Sequence, residues 1–97
     1  MEEHNSSWKP QFDLAKIDVL LEDAWQLKDA TGERPARILV GRPVAFLDPR
    51  SGKELFACPF FVEGKTERVV TAVGLGPLNA LMSACIGIRE IFNKNRG

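Results

Sequence analysis

One short stretch of this sequence is apolar on both sides, and it constrains the fold more than any other feature. The stretch reads FACPFFVEG over residues 56–64. Side chains alternate between the two faces of an extended strand, so its residues divide into two sets: Phe56, Cys58, Phe60 and Val62 on one face, and Leu55, Ala57 and Phe61 on the other. A strand that is apolar on both faces needs cover on both. The rest of the chain must therefore supply two covering layers.

The length and the charge of the chain limit what those layers can be. With 97 residues, the chain forms one domain with a core of modest size. Its net charge is zero and it has no run of basic residues, so direct binding to nucleic acid or to an acidic membrane is disfavoured. Its first residues are acidic and polar and do not read as a secretory signal, and no segment approaches the ~20 apolar residues that would span a bilayer. We expect a cytoplasmic protein.

The N-terminal third predicts a flexible tail followed by a helix. We expect a tail over residues 1–10, a single α+β domain over 11–97, and a helix from about Asp13 to Ala30 that stops before Gly32. At a period of 3.6 residues, one broad stripe is mostly apolar and contains Leu14, Ile17, Leu20, Leu21, Ala24, Leu27 and Lys28. The opposite stripe is acidic or polar and contains Asp18, Glu22, Gln26 and Asp29. Trp25 lies at the border, either as a core anchor or as a contact for a partner.

From Pro35 onward the pattern changes to short apolar runs that are separated by turn residues. We expect strands near 36–48, with an interruption at Gly41–Pro43, and at 54–62 and 67–74. The segments 48–52 (DPRSG) and 63–65 (EGK) read as hairpin turns. The fold predicted is α+β, an N-terminal helix, a three-stranded antiparallel meander and a C-terminal helix (αβββα).

The last helix begins at Gly76-Pro77, where a proline at the first helical position is favourable. One face carries larger apolar side chains: Leu78, Leu81, Met82, Cys85, Ile88 and Phe92. We expect this face to cover the sheet. The other face has small residues, namely Asn79, Ala80, Ser83, Ala84 and Gly87. Either the N-terminal helix or a second copy of the protein would pack there.

The Cys-Pro pair is predicted to be structural. A metal site needs several matched ligands, and the chain has two separated cysteines, Cys58 and Cys85, and one histidine, His4, in the tail. A thiol nucleophile needs a base or a positive environment, and no histidine lies within the predicted fold. Pro59 lacks an N–H, so it should lie at a bulge or where one side of the strand is unpaired.

Two segments also resemble a family of small bacterial domains of unknown function. The first is residues 56–64, an aromatic residue and a spacer followed by Cys-Pro and an apolar strand that ends in glycine. The second is residues 74–81, GLGPLNAL, at the start of the C-terminal helix. The chain departs from the family in having Phe56 where tryptophan is typical, and Gly76-Pro77 where Asp-Ser is typical. The resemblance spans roughly residues 36–93 and implies a meander followed by a helix. It implies no activity or ligand.

The sequence lacks the residue patterns of common enzymes. It has no phosphate-binding loop and no paired carboxylates in a strand-end motif, so we expect a protein without catalytic, cofactor-binding or metal-binding residues. Four arginines could gather at the strand ends and bind an anion: Arg37, Arg42, Arg50 and Arg68. A solvated rim of charges is the alternative interpretation.

Charge is unevenly distributed along the chain. Residues 1–29 hold seven acidic and three basic residues, whereas residues 30–97 hold six and ten. The two parts, at −4 and +4, could attract one another within the fold, or the acidic helix could bind a basic partner. The second alternative would fit a protein inhibitor of the immunity or anti-defence kind, from a bacterium or a phage.

The interpretation we favour is a protein–protein interaction module, as a homodimer or an accessory subunit. Two helices cover too little of a sheet that is apolar on both sides. The candidate partner-binding residues are Asp18, Glu22, Asp29, Trp25, Phe61, Ala80, Ala84 and Gly87. If the chain is a monomer, the N-terminal segment around Trp8 and Phe12 would have to cover one face.

Overall fold

A five-stranded antiparallel sheet with one helix on one of its faces makes up this small α+β fold. The computed structural model describes residues 8–94. The elements in chain order are a 3-10 helix (Leu14–Lys16), β1 (Val19–Asp29), β2 (Gly32–Gly41), β3 (Val44–Leu47), β4 (Glu54–Val62), β5 (Val70–Gly74) and α1 (Pro77–Asn93).

Strand β4, which contains most of the FACPFFVEG stretch, lies at the centre of the sheet. On one side β2 and β3 pair with it in succession, through Val40 opposite Phe60 and Val44 opposite Ala57. On its other side β5 pairs with it. Strand β1 pairs with β2 and lies at the edge. Strand β4 therefore has hydrogen-bonded neighbours along both edges.

The predicted N-terminal helix is wrong, and with it the αβββα layout. Residues 19–29 form β1, an 11-residue strand that is joined to β2 by a tight hairpin. Gly32, expected to stop a helix, is the first residue of β2, directly after the hairpin turn, and has a φ of 124°. The strand puts Leu21, Trp25 and Leu27 on one face at a period of two, and pairing with β2 stabilises that arrangement over the helical one.

The other predicted elements are present. Strand β4 has the predicted bounds, and the first predicted strand is divided into β2 and β3 by a break at residues 42–43. Gly52 and Gly64 adopt positive φ angles of 75° and 82°, which suit glycine in the turns on either side of β4. The C-terminal helix begins at Pro77, directly after its N-cap Gly76.

The Cys-Pro pair lies opposite the break between β2 and β3, which confirms the expectation for Pro59. Neither Cys58 nor Pro59 has a ladder partner on that side, although both pair with β5. The buried Cys58 Sγ donates a hydrogen bond to the Gly41 carbonyl at 3.3 Å. Burial, and secondarily the nearby Cys85, raise the pKa of the Cys58 thiol to about 11. The thiol therefore stays protonated at neutral pH and fills the break in the sheet.

Helix α1 covers one face of β4 and β5, with a face that is rotated from the one we predicted. Leu81, Ile88 and Phe92 pack against the core as expected, but the small residues beside them also face the sheet. Ala80 and Ala84 are fully buried against the sheet. A Cβ added at Gly87 would lie 3.1 Å from Cζ of Phe60. Small helical residues match the large rings of β4, because they allow the helix backbone to approach them closely. As a result Leu78 and Met82, expected to cover the sheet, are exposed.

The N-terminal segment, residues 8–17, covers the other face of the sheet. Thr71 Oγ1 donates a hydrogen bond to the Pro10 carbonyl at 2.9 Å. The Ile17 side chain and the Pro59 ring both lie close to Gly41, where an added Cβ would meet each of them. Trp8 packs against Phe46, with ring centroids 6.3 Å apart. This is the arrangement expected of a monomer. The predicted tail over residues 1–10 is described from Trp8 onward, and residues 1–7 lie outside the described part.

An arginine fixes the other side of the Trp8 ring. The Arg50 guanidinium lies 3.5 Å from the ring centroid. Its Nε also donates to Asp48 Oδ1 at 3.0 Å. The hydrogen bonds from Arg50 lower the pKa of the buried Asp48 carboxyl to about 2. The turn between β3 and β4 thus connects the N-terminal segment to the sheet.

Candidate interaction groove between strand β1 and helix α1

Helix α1 leaves the β1 side of its sheet face uncovered, and a groove of about 250 Å³ runs between the two. We call it the β1–α1 groove. Its lining residues are Leu21, Asp23, Trp25, Ile38, Val40, Cys85, Ile88 and Arg89. Most of these side chains are apolar. Asp23 and Arg89 are the two charged ones, and they come from opposite walls.

The register of β1 and β2 explains the composition of the groove floor. Leu21 pairs with Val40 and Asp23 with Ile38, and directly opposite residues in an antiparallel pair share a face. Toward the C-terminal end of α1, the Trp25 ring packs against Phe92 with centroids 5.0 Å apart. This aromatic pair closes one end of the groove. A wider depression of about 940 Å³ lies beyond it and shares Trp25 and Arg89 with the groove.

The exposed side of α1 forms an apolar ridge next to this groove. Leu78, Met82 and Ile86 are 65%, 54% and 54% exposed. Residues four apart in a helix lie one above the other, so the three side chains form a continuous row that we call the α1 ridge. A solvated helix face would normally carry charged residues there. The molecule thus presents an apolar ridge beside an apolar groove.

Two of the predicted acidic partner-binding residues are engaged within the fold. Glu22 accepts a hydrogen bond from Arg37 Nε at 2.7 Å, and this bond raises the pKa of the arginine. Asp18 accepts one from Arg42 Nε at 3.0 Å. These pairs connect the acidic N-terminal third to the basic remainder of the chain. They lie on β1 and just before it, not on a helix. The side chain of Asp29 lies outside the described part.

The same ion pairs weaken the case for an anion site. Three of the four arginines considered for such a site each pair with a carboxylate: Arg37, Arg42 and Arg50. A guanidinium that is already bound to a carboxylate is less available to another anion. The structure does not bring the four arginines together in a pocket that it describes.

The other predicted partner-binding residues lie in three different environments. Trp25 lines the groove and is partly exposed. Phe61 is half-buried on the opposite sheet face, across from Leu39. Ala80 and Ala84 are buried under α1, and Gly87 packs over Phe60. The small-residue face is therefore occupied by the sheet of the same chain and is not free for a partner.

Sequence reasoning missed most of the groove. Leu21 was assigned to the buried stripe of a helix, and Leu78, Met82 and Cys85 to the face that covers the sheet. The alternation of apolar residues over 19–27 was the signal that could have identified β1. The exposed ridge carried no such signal, because it depends on which face of α1 packs against the phenylalanines.

Searches for other types of site, and for similar proteins, gave no match. Residues 8–94 include no group of three or more His, Cys, Asp or Glu side chains placed to hold a metal ion. Within the same residues, no helix has the length and apolar character needed to cross a bilayer. No family model, no curated protein and no solved structure matches the chain. The resemblance to small bacterial domains of unknown function stays a prediction.

Proposed function

We propose that this protein is a non-catalytic protein–protein interaction module that acts as a homodimer. The observation that carries the proposal is the orientation of α1, which buries alanine and glycine and exposes Leu78, Met82 and Ile86. An exposed apolar patch next to an apolar groove is typical of a protein interaction site.

A second copy is the occupant that fits best, because each copy would supply both parts of the interface. A two-fold axis brings the same patch of both subunits together. The α1 ridge of one protomer can then fill the β1–α1 groove of the other, and the reverse contact forms at the same time. Ridge-into-groove packing is the ordinary way in which helices pack.

The expected affinity is moderate. Fully burying one large aliphatic side chain is worth about 1.5–3 kcal/mol, and each protomer would contribute three from the ridge. Association also costs translational and rotational freedom. A net free energy near −8 kcal/mol, which is about a micromolar dissociation constant, is a reasonable expectation.

Substituting the ridge tests the proposal with a closely matched control. Leu78→Lys and Met82→Lys should each convert the dimer to a folded monomer, because a lysine would have to be buried in the apolar groove. Leu47→Lys is the control, since Leu47 is 69% exposed on β3 and lies away from the groove. Sedimentation equilibrium from about 1 to 200 µM, a range that brackets the expected micromolar dissociation constant, would measure all four proteins.

Two results would contradict the proposal. One is a well-folded monomer of the unsubstituted protein over the whole concentration range. The other is a dimer that Leu78→Lys and Met82→Lys leave intact, because the interface would then lie elsewhere. Circular dichroism of each variant confirms that the fold is retained.

A further inference from the structure

The two charged residues of the groove have opposite signs and lie on opposite walls. Asp23 lies on β1 and Arg89 on α1. Within residues 8–94 they form no ion pair with each other or with any other residue. Single charged residues on a protein surface are common. Asp23 and Arg89, however, both border the surface proposed for dimerisation.

The Asp23 carboxylate is held in one orientation by its neighbours. Its Oδ1 accepts the Ala24 backbone N–H at 2.7 Å, and its Oδ2 accepts Trp25 Nε1 at 3.3 Å. A carboxylate has about four lone-pair positions, so it can still bind a guanidinium. Its position is fixed without one.

The same hydrogen bond affects how a second copy can approach. Strand β1 is an edge strand, and edge strands can pair with another chain through their free backbone groups. The Ala24 N–H, near the middle of β1, is already bound by Asp23. Edge-to-edge pairing of two β1 strands would have to break this bond. Contact through the groove leaves it intact.

We infer that Asp23 of each protomer binds Arg89 of the partner subunit, an inference that rests on the proposed homodimer. In a two-fold interface, a contact from one residue to a second is matched by the reverse contact. Seating the α1 ridge of one protomer in the groove of the other brings the partner's Arg89 to the β1 wall. Two equivalent ion pairs then form. They select the register of the ridge in the groove, and they favour a second copy over other apolar partners.

Charge exchange between two variants tests this pairing. Asp23→Lys alone and Arg89→Glu alone should each weaken dimerisation by about tenfold or more, because like charges would face each other twice in each homodimer. Mixing the two variants should give a heterodimer in which both pairs have opposite signs. We expect its dissociation constant to lie within a few-fold of that of the unsubstituted dimer. The double variant Asp23→Lys/Arg89→Glu should also dimerise.

The readouts separate this inference from the proposed function. If the ridge variants abolish the dimer but the mixture shows no preference for the heterodimer, the dimer stands and the ion pair is wrong. If the unsubstituted protein is a monomer, both fail. Because Asp23→Lys removes the bonds to Ala24 and Trp25, circular dichroism must show that it folds. If it does not, Arg89→Glu is compared with the conservative Arg89→Lys, and equal dissociation constants for these two would overturn the pairing.

Discussion

The Cys58 thiol supplies a hydrogen bond at the point where strand pairing in the sheet is interrupted. Pro59 offers no N–H, and directly opposite it the strand pairing is interrupted between β2 and β3. The thiol then donates to the Gly41 carbonyl in that break. Gly41 itself admits no side chain, because a Cβ there would lie 2.6 Å from Cγ of Pro59. The three residues are thus fitted to one another.

Replacing Cys58 should therefore affect stability. We expect Cys58→Ala to lower the free energy of unfolding by roughly 1–3 kcal/mol, since it leaves a small cavity and an unpaired carbonyl. Cys85→Ala is the control, because Cys85 is exposed, and should change stability little. Urea titration at submicromolar protein concentration, followed by tryptophan fluorescence, measures both. Equal effects of the two substitutions would contradict the structural role of Cys58.

The same thiol predicts a dependence on pH. Its pKa in the folded state is raised to about 11 from a reference value of 9.0, so above pH 9 the unfolded chain ionises first. The stability that arises from this difference is present below pH 9 and lost as the pH rises through 11. The advantage of the unsubstituted protein over Cys58→Ala should shrink across this interval. An advantage that stays constant from pH 8 to 11 would show that the thiol is not buried as described.

Whole elements were harder to predict than single residues, and β1 shows why. Its sequence places Leu20, Leu21, Ala24 and Leu27 on one helical stripe, yet also alternates at a period of two. Periodicity does not separate the two states for such a segment, and pairing with β2 decides between them. By contrast, β4 and α1 have local signals at their ends, in Gly52, Gly64 and Pro77, and their positions were predictable from sequence.

The N-terminal segment, residues 8–17, covers one face of the sheet, although it has regular structure only in the 3-10 helix Leu14–Lys16. Trp8→Ala should lower the free energy of unfolding by about 1–2 kcal/mol, because it removes the ring contact with Phe46 and the stack on Arg50. Gln11→Ala serves as the control, since Gln11 is exposed and its side chain donates to the nearby Lys9 carbonyl. Thermal unfolding measures both variants. Similar melting temperatures for Trp8→Ala and the unsubstituted protein would mean that this segment does not stabilise the sheet.

At the scale of the whole molecule, the balance between apolar faces and their cover decides the candidate site. Both faces of β4 are covered within the chain, one by α1 and the other by residues 8–17. Uncovered apolar surface lies on the α1 ridge and in the β1–α1 groove, while other exposed apolar residues, such as Leu47 on β3, lie away from both. Counting apolar faces in the sequence predicted either a bare sheet face or a free small-residue face on the helix, and both predictions were wrong, because residues 8–17 cover the first and the sheet covers the second. The α1 ridge was not predictable by that count, because it results from the burial of Ala80 and Ala84 and the close approach of Gly87 to Phe60.

If a second copy covers this surface, stability must depend on protein concentration. Only the folded state dimerises, so the melting temperature rises by mass action as the protein concentration rises. From about 1 to 100 µM we expect an increase of about 5 °C or more, since 1 kcal/mol shifts the melting temperature of a domain this size by about 4–8 °C. The folded monomer Met82→Lys should show no such increase, because its ridge does not fit the apolar groove. Scanning calorimetry measures the melting temperature of both proteins at each concentration. If the melting temperature depends on concentration equally in the two proteins, ridge burial does not contribute to stability, and the partner of this surface is not a second copy.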